Sequence, residues 1–233
     1  MEYAKWSRRS VLALGTAAVA GVAAGSGSQL LAQPLTSAPP SDVWKRLTEG
    51  NARFAAGRPK HPRQDPDWRE DLVDGQEPFA CVLGCADSRV PPEILFDQGL
   101  GDLFTVRAVG EVLDDAVVGS IEYAAEHLHV PAVVVLGHSE CGAVKAAIDL
   151  VRGTSGVTGS VSTVARAIEA TVRATPPDPN EARFVASCVR NQATRIAAEL
   201  PLRSHAIRTA VEENGLRIIV AVYDLATGLV TPH

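Results

Sequence analysis

Short unbroken apolar runs alternate with longer stretches in which apolar residues return every third or fourth position, and this alternation predicts a succession of strands and helices. FACVLGC (79–85), LFTVR (103–107), PAVVVLGH (131–138) and LRIIVAVYDL (216–225) read as strands. DDAVVGSIEYAAEHL (114–128) has the period of an amphipathic helix of about four turns. Further helices are expected over 141–152, 161–173, 181–199 and 204–213, separated by GTSGVTGS and TPPDP. Upstream, Ser41 or Asp42 is expected to cap a helix that carries Val43, Trp44, Leu47 and Phe54 on one side. HPRQDPDWRED (61–71) reads as a polar, proline-interrupted connection, and PPEILFD (91–97) as a short helix opened by proline.

Strands that alternate with helices need crossover connections, so the expected fold is α/β with a mainly parallel central sheet flanked by helices. PAVVVLGH has no polar alternation, which predicts a strand buried on both faces. ATG (226–228) turns the last strand into Leu229 and Val230, which suggests an antiparallel edge.

Composition narrows the function classes. The 233 residues are 46% hydrophobic and 21% charged, enough for one full-sized core. A formal net charge of -5, with no Lys/Arg stripe, argues against nucleic acid as a partner and leaves small anions or neutral molecules. Residues 1–35 read differently from the rest. Arg8 and Arg9 precede GTAAVAGVAAG, with no acidic residue between Ser7 and Leu35, which resembles a twin-arginine export signal. The expected organisation is therefore a signal and linker over 1–35 and one domain over 36–233. Export by the twin-arginine machinery is expected, with cleavage near Ala24 or Ala32, or a membrane anchor over 11–32 if the signal stays.

The four cysteines, 81, 85, 141 and 188, allow two disulfides in an exported protein. Two of them sit better in a metal site. Ligands of parallel α/β sheets gather beyond the carboxyl ends of the strands, and Cys85 and His138 each close a strand, with Cys141 three residues on at a helix start. Two thiolates and an imidazole suit zinc, which keeps a fourth position for water in a catalytic site. Asp87 is the candidate fourth ligand, yet Arg89 two residues away competes for it, so the site is open or closed according to the partner Asp87 takes. Singly, each residue has a plainer reading: packing for the cysteines, a helix cap for Asp-Ser-Arg, a core position for the histidine. Cys81 and Cys188 read as core, and His61, His127, His129, His205 and His233 as surface or linker.

C-x-D-S-R followed some fifty residues later by H-S-x-C-G resembles the paired signature of the β-class carbonic anhydrases, and the likeness runs over about residues 43–231. The resemblance implies a zinc enzyme that hydrates carbon dioxide to bicarbonate and a proton, built as a homodimer or a dimer of dimers. It implies one Zn2+ per chain on Cys85, His138 and Cys141, with Asp87 as fourth ligand in a closed state. In the open state Asp87 and Arg89 would orient the nucleophilic hydroxide. Zinc lowers the pKa of bound water from ~15.7 to about 7, and two thiolates offset part of that, so activity is expected to rise toward alkaline pH and closed enzyme to accumulate as pH falls. Where many members read R-N-A-G-N, this chain has Arg107, Ala108, Val109, Gly110 and Glu111, which removes two amides and is expected to add a charge, as does Glu140. Two other readings stay open: hydrolysis of carbonyl sulfide or carbon disulfide on the same ligands, and a non-catalytic zinc scaffold with Asp87 held on the metal.

Overall fold

The computed structural model describes residues 40–233, so the signal, cleavage and anchor readings of the N-terminal segment lie outside the described residues. Five strands form one sheet in the order β2-β1-β3-β4-β5: β1 (Ala80–Gly84), β2 (Leu103–Arg107), β3 (Ala132–His138), β4 (Arg217–Tyr223) and β5 (Val230–Pro232). All pairs are parallel except β4 with β5, as the alternation of elements and the late ATG turn predict. Every residue of β1 and β3 is buried, the signature of strands covered on both faces.

Helices supply that cover. On one face Cys81, Leu83, Val133 and Val135 pack against α4 (Asp115–Glu126), α7 (Glu181–Arg203) and α8 (His205–Glu212). On the other, Val82, Val134 and Leu136 meet Val43 and Leu47 of α1 (Pro40–Ala55) and Leu95 of α3 (Pro92–Leu95). Beyond the carboxyl ends of the strands, α5 (Gly142–Arg152), α6 (Gly159–Ala174) and α7 enclose a third apolar cluster that contains Cys85 and Cys141.

The order of strands fixes where a ligand can enter. From β1 the chain moves to β2 on one side, and from β3 it moves to β4 on the other, so the loops leaving β1 and β3 diverge. This is the switch point at which parallel sheets open a crevice. Gly84 pairs with Leu136, which brings the residues just past both strands to the same level.

Three local expectations need correction. The first helix already includes Pro40, so positions 41 and 42 fall within it, past its start. The polar connection contains a short helix, α2 (Pro66–Asp71), because Asp65 accepts a hydrogen bond from the Trp68 N–H and Pro66 occupies the first turn. The seventh helix runs past Pro201 to Arg203, with the missing N–H falling in its last turn. All four cysteines are free, buried thiols, which fits the metal and core readings and leaves no disulfide among the described residues. Among the described residues no helix is long and apolar enough to cross a membrane.

Candidate metal centre

Cys85 lies one residue past β1, His138 ends β3, and Cys141 occupies the position before α5. Their ligand atoms all lie within 4.8 Å of one another, and all three residues are buried. Among the described residues no other group of His, Cys, Asp or Glu converges in this way. The exposed His61, His127, His129, His205 and His233 stay apart, and Cys81 and Cys188 are core, as expected. Cavity size does not reveal the site: two clefts of about 460 Å³ are lined by other residues.

Each ligand atom is prepared by a neighbour. Nδ1 of His138 lies 2.9 Å from the carbonyl oxygen of Ser139. A carbonyl only accepts, so Nδ1 carries the proton and donates, and the lone pair is left on Nε2. Nε2 is buried without a hydrogen-bond partner. An orphaned imidazole lone pair beside two sulfurs is costly in an empty core and is satisfied by a metal ion, so the residues present fit zinc. Ser139 is itself held: its N–H donates to Tyr223 O at 2.8 Å, and its Oγ accepts from Leu225 N–H at 2.9 Å. The turn after β4 thus braces the histidine ligand.

One of the two sulfurs is biased toward the thiolate. Gly110 N–H donates to Cys85 Sγ at 3.3 Å. The Cys141 thiol, hydrogen-bonded to Cys85, is the main cause that pulls Cys85 well below the usual thiol range, and Gly110 adds to it against the opposing effect of burial. Cys141 is pushed the other way by the same hydrogen bond and by burial, so without a metal the two sulfurs share a proton. Gly110 reaches Cys85 only because its φ of +66° lets the chain turn between Ile168 and Ala143.

Asp87 stands at the rim. Arg89 grips it through Nε to Oδ1 at 2.9 Å and Nη2 to Oδ2 at 2.7 Å, and the Arg89 N–H also donates to Oδ1. The side-chain hydrogen bonds from Arg89 are the chief reason its carboxyl sits well below the usual carboxylate range. Asp87 is therefore ionised and engaged, with Oδ2 4.0 Å from His138 Nε2. The helix-capping reading of Asp-Ser-Arg does not hold, since the residue before α3 is Pro91 and no side chain caps it.

Two features had no clear signal in the sequence. Arg107, at the end of β2, donates through Nε to Cys85 O at 2.9 Å and through Nη2 to Asp87 O at 2.6 Å, clamping the loop that carries both residues. Glu111 is 2% exposed, and one of its oxygens lacks a partner. Burial first, then the negative charge of Cys85, raises its carboxyl well above the usual value, which opposes the expected charge. Glu140 is exposed and paired with Lys145.

Fold and site together define an α/β protein in which a Cys-His-Cys trio able to hold a metal ion occupies the switch point of a parallel sheet. The family model described as carbonic anhydrase matches residues 80–230. Carbonic anhydrase 2 of Mycobacterium tuberculosis is 45% identical over 195 residues, covering 81% of this chain and 90% of that protein. A carbonic anhydrase of Mycolicibacterium smegmatis is 43% identical over 197 residues, covering 82% and 92%. Among solved structures, the β-carbonic anhydrase CcaA superposes with a TM-score of 0.66 at 24% identity, covering 82% of this chain and 94% of that one. A tetrameric β-carbonic anhydrase of Sordaria macrospora gives 0.65 at 23%, covering 82% and 96%. The chain belongs to the carbonic anhydrase family of enzymes, and its fold is that of the β-class.

Proposed function

We propose that this protein catalyses the reversible hydration of carbon dioxide to bicarbonate and a proton with one Zn2+ per chain, held by Cys85, His138 and Cys141. The observation that carries this reading is the unpartnered Nε2 of His138, buried between two free thiols and 4.0 Å from the carboxylate that Arg89 holds. Bound there, zinc supplies a Lewis acid that makes water a nucleophile near neutral pH.

The residues of the chain do the rest. Asp87, ionised on Arg89, accepts a hydrogen bond from the attacking water and aims its lone pair at the carbon of the substrate. Arg89 holds Asp87 back, with Oδ2 4.0 Å from His138 Nε2, so that a zinc ion held by the trio would keep room for that water. Arg107 fixes the backbone on which Cys85 and Asp87 sit, which sets the distance between ligand and orienting carboxylate. Asp87 is partly exposed, which gives the released proton a route to solvent.

The working assembly is proposed as a homodimer or a dimer of dimers, in keeping with the tetrameric relative of the same fold. The proposed destination is outside the cytoplasm, reached by the twin-arginine machinery with the metal already loaded. The test is stopped-flow carbon dioxide hydration from pH 6.5 to 9, with zinc quantified in the same sample. Turnover that rises toward alkaline pH with about one zinc per chain is expected. A full complement of zinc without turnover would overturn the reading, and carbonyl sulfide would then be the next substrate to try.

A further inference from the structure

Away from the metal centre, α6 and α7 frame a cavity of about 240 Å³ against the segment that follows Glu111. Its walls include Arg166 of α6, Arg195, Glu199 and Arg203 of α7, the buried Gln192, and Leu113. Positions 195, 199 and 203 are four apart, so one helix face presents all three side chains to the opening. Three guanidiniums against one carboxylate leave two positive charges in excess around the cavity.

Two of these arginines are partly committed. Arg195 donates through Nε to Glu199 at 2.6 Å, and Arg203 donates through Nη1 to Leu113 O at 2.8 Å. Arg166 has no hydrogen bond or ion pair among the described residues. The nearby carboxylates do not relieve the excess: Glu169 pairs with Arg173 and Glu122 accepts from Ser204, and neither lines the cavity. Gln192 at the back is satisfied by the Thr171 hydroxyl and by Gly110 O, so it is a fixed polar wall.

We propose that this cavity binds a small dianionic oxyanion of the phosphate class, with Arg166 as the principal contact and Arg195 and Arg203 completing the cradle. A planar guanidinium fork offers paired N–H donors to two oxygens of such an ion, and the double excess of positive charge matches a dianion. The site is separate from the metal centre and does not depend on the reaction proposed there.

The test is calorimetric titration of inorganic phosphate into the zinc-loaded protein, with ionic strength held constant by chloride. Saturable binding of about one phosphate per chain is expected, with sulfate competing. Arg166→Ala and Arg203→Ala should each weaken it by about tenfold or more, and Arg166→Lys should recover part of the loss. Arg166 is exposed on a helix and alanine is a good helix former, so circular dichroism of that variant should match the parent. Three outcomes would overturn the proposal. They are no saturable binding, binding abolished equally by chloride, and binding untouched in both alanine variants, which would put the anion at the metal or elsewhere.

Discussion

Oδ2 of Asp87 stands 2.7 Å from Nη2 of Arg89 and 4.0 Å from Nε2 of His138, so one carboxylate oxygen faces both a guanidinium and the open side of the metal trio. Removing the guanidinium frees an ionised oxygen next to three metal ligands. In Arg89→Ala, Asp87 is expected to close onto the metal: zinc content stays at about one per chain, while turnover falls by about a hundredfold or more. Activity and zinc measured on one preparation decide it. Full activity in that variant would rule out the competition between Arg89 and the metal.

The hydrogen bond from Gly110 to Cys85 predicts a different failure. A Cβ at position 110 would lie 2.7 Å from Ile168 Cδ1 and 2.8 Å from Ala143 Cβ, in a backbone conformation with φ of +66°. Gly110→Ala must therefore move the turn and lengthen the contact with the sulfur. A loss of about 1–3 kcal/mol in urea unfolding is expected, together with faster zinc loss to a chelator. A variant that loses stability but keeps zinc as tightly as the parent would show that the turn does not support the ligand.

Free thiols allow the ligand assignment to be tested without any activity. Burial pushes the Cys81 thiol up to about 12 and raises Cys188, whereas Cys85 is lowered by its hydrogen bond from Cys141. After chelation at neutral pH, an alkylating reagent should label Cys85 first and leave Cys81 and Cys188 untouched, as read by mass spectrometry, with Cys141 following only once Cys85 no longer shares its proton. Zinc added first should protect both. Labelling of Cys81 at the rate of Cys85 in protein that is still folded would argue against the trio.

Much of this was legible because the informative residues close secondary-structure elements. Cys85 and His138 follow apolar runs whose burial on both faces leaves only their ends for chemistry, and Cys141 falls at a helix start. Their meeting follows from the strand order, in which β1 and β3 are neighbours although β2 lies between them in the chain. Other features depend on contacts between segments far apart in the chain. Glu111 reads as a surface charge until the fold closes over it, and Gln192 shows no local sign that its amide will hold Gly110 from 82 residues away. Arg166 and Arg203 come together only because α6 packs on α7. Prolines misled in both directions: Pro66 starts a helix in a stretch that reads as broken, and Pro201 sits inside one that reads as ended.

A buried carboxylate outside the Cys-His-Cys trio contributes to the response to acid. Asp97 is 3% exposed and accepts from Arg53 Nε at 2.6 Å and from the N–H groups of Lys60 and His61. Burial alone would raise its pKa, but the hydrogen bonds from Lys60, Arg53 and His61 outweigh it, and the carboxyl is held below the usual value. A folded-state pKa below the unfolded one stabilises the fold above about pH 4, where the unfolded chain is also ionised. That contribution is lost as pH falls through the depressed folded value. Asp97→Asn removes the charge and turns an N–H donor toward backbone donors, at an expected cost of about 2 kcal/mol at pH 7. Urea unfolding of parent and variant at pH 7 and at pH 3 provides the check. The gap between them should narrow at pH 3, because the parent has begun to lose what the variant never had. An equal gap at both values would mean that the charge of Asp97 contributes nothing, and that the segment from Lys60 to His61 is held by shape alone.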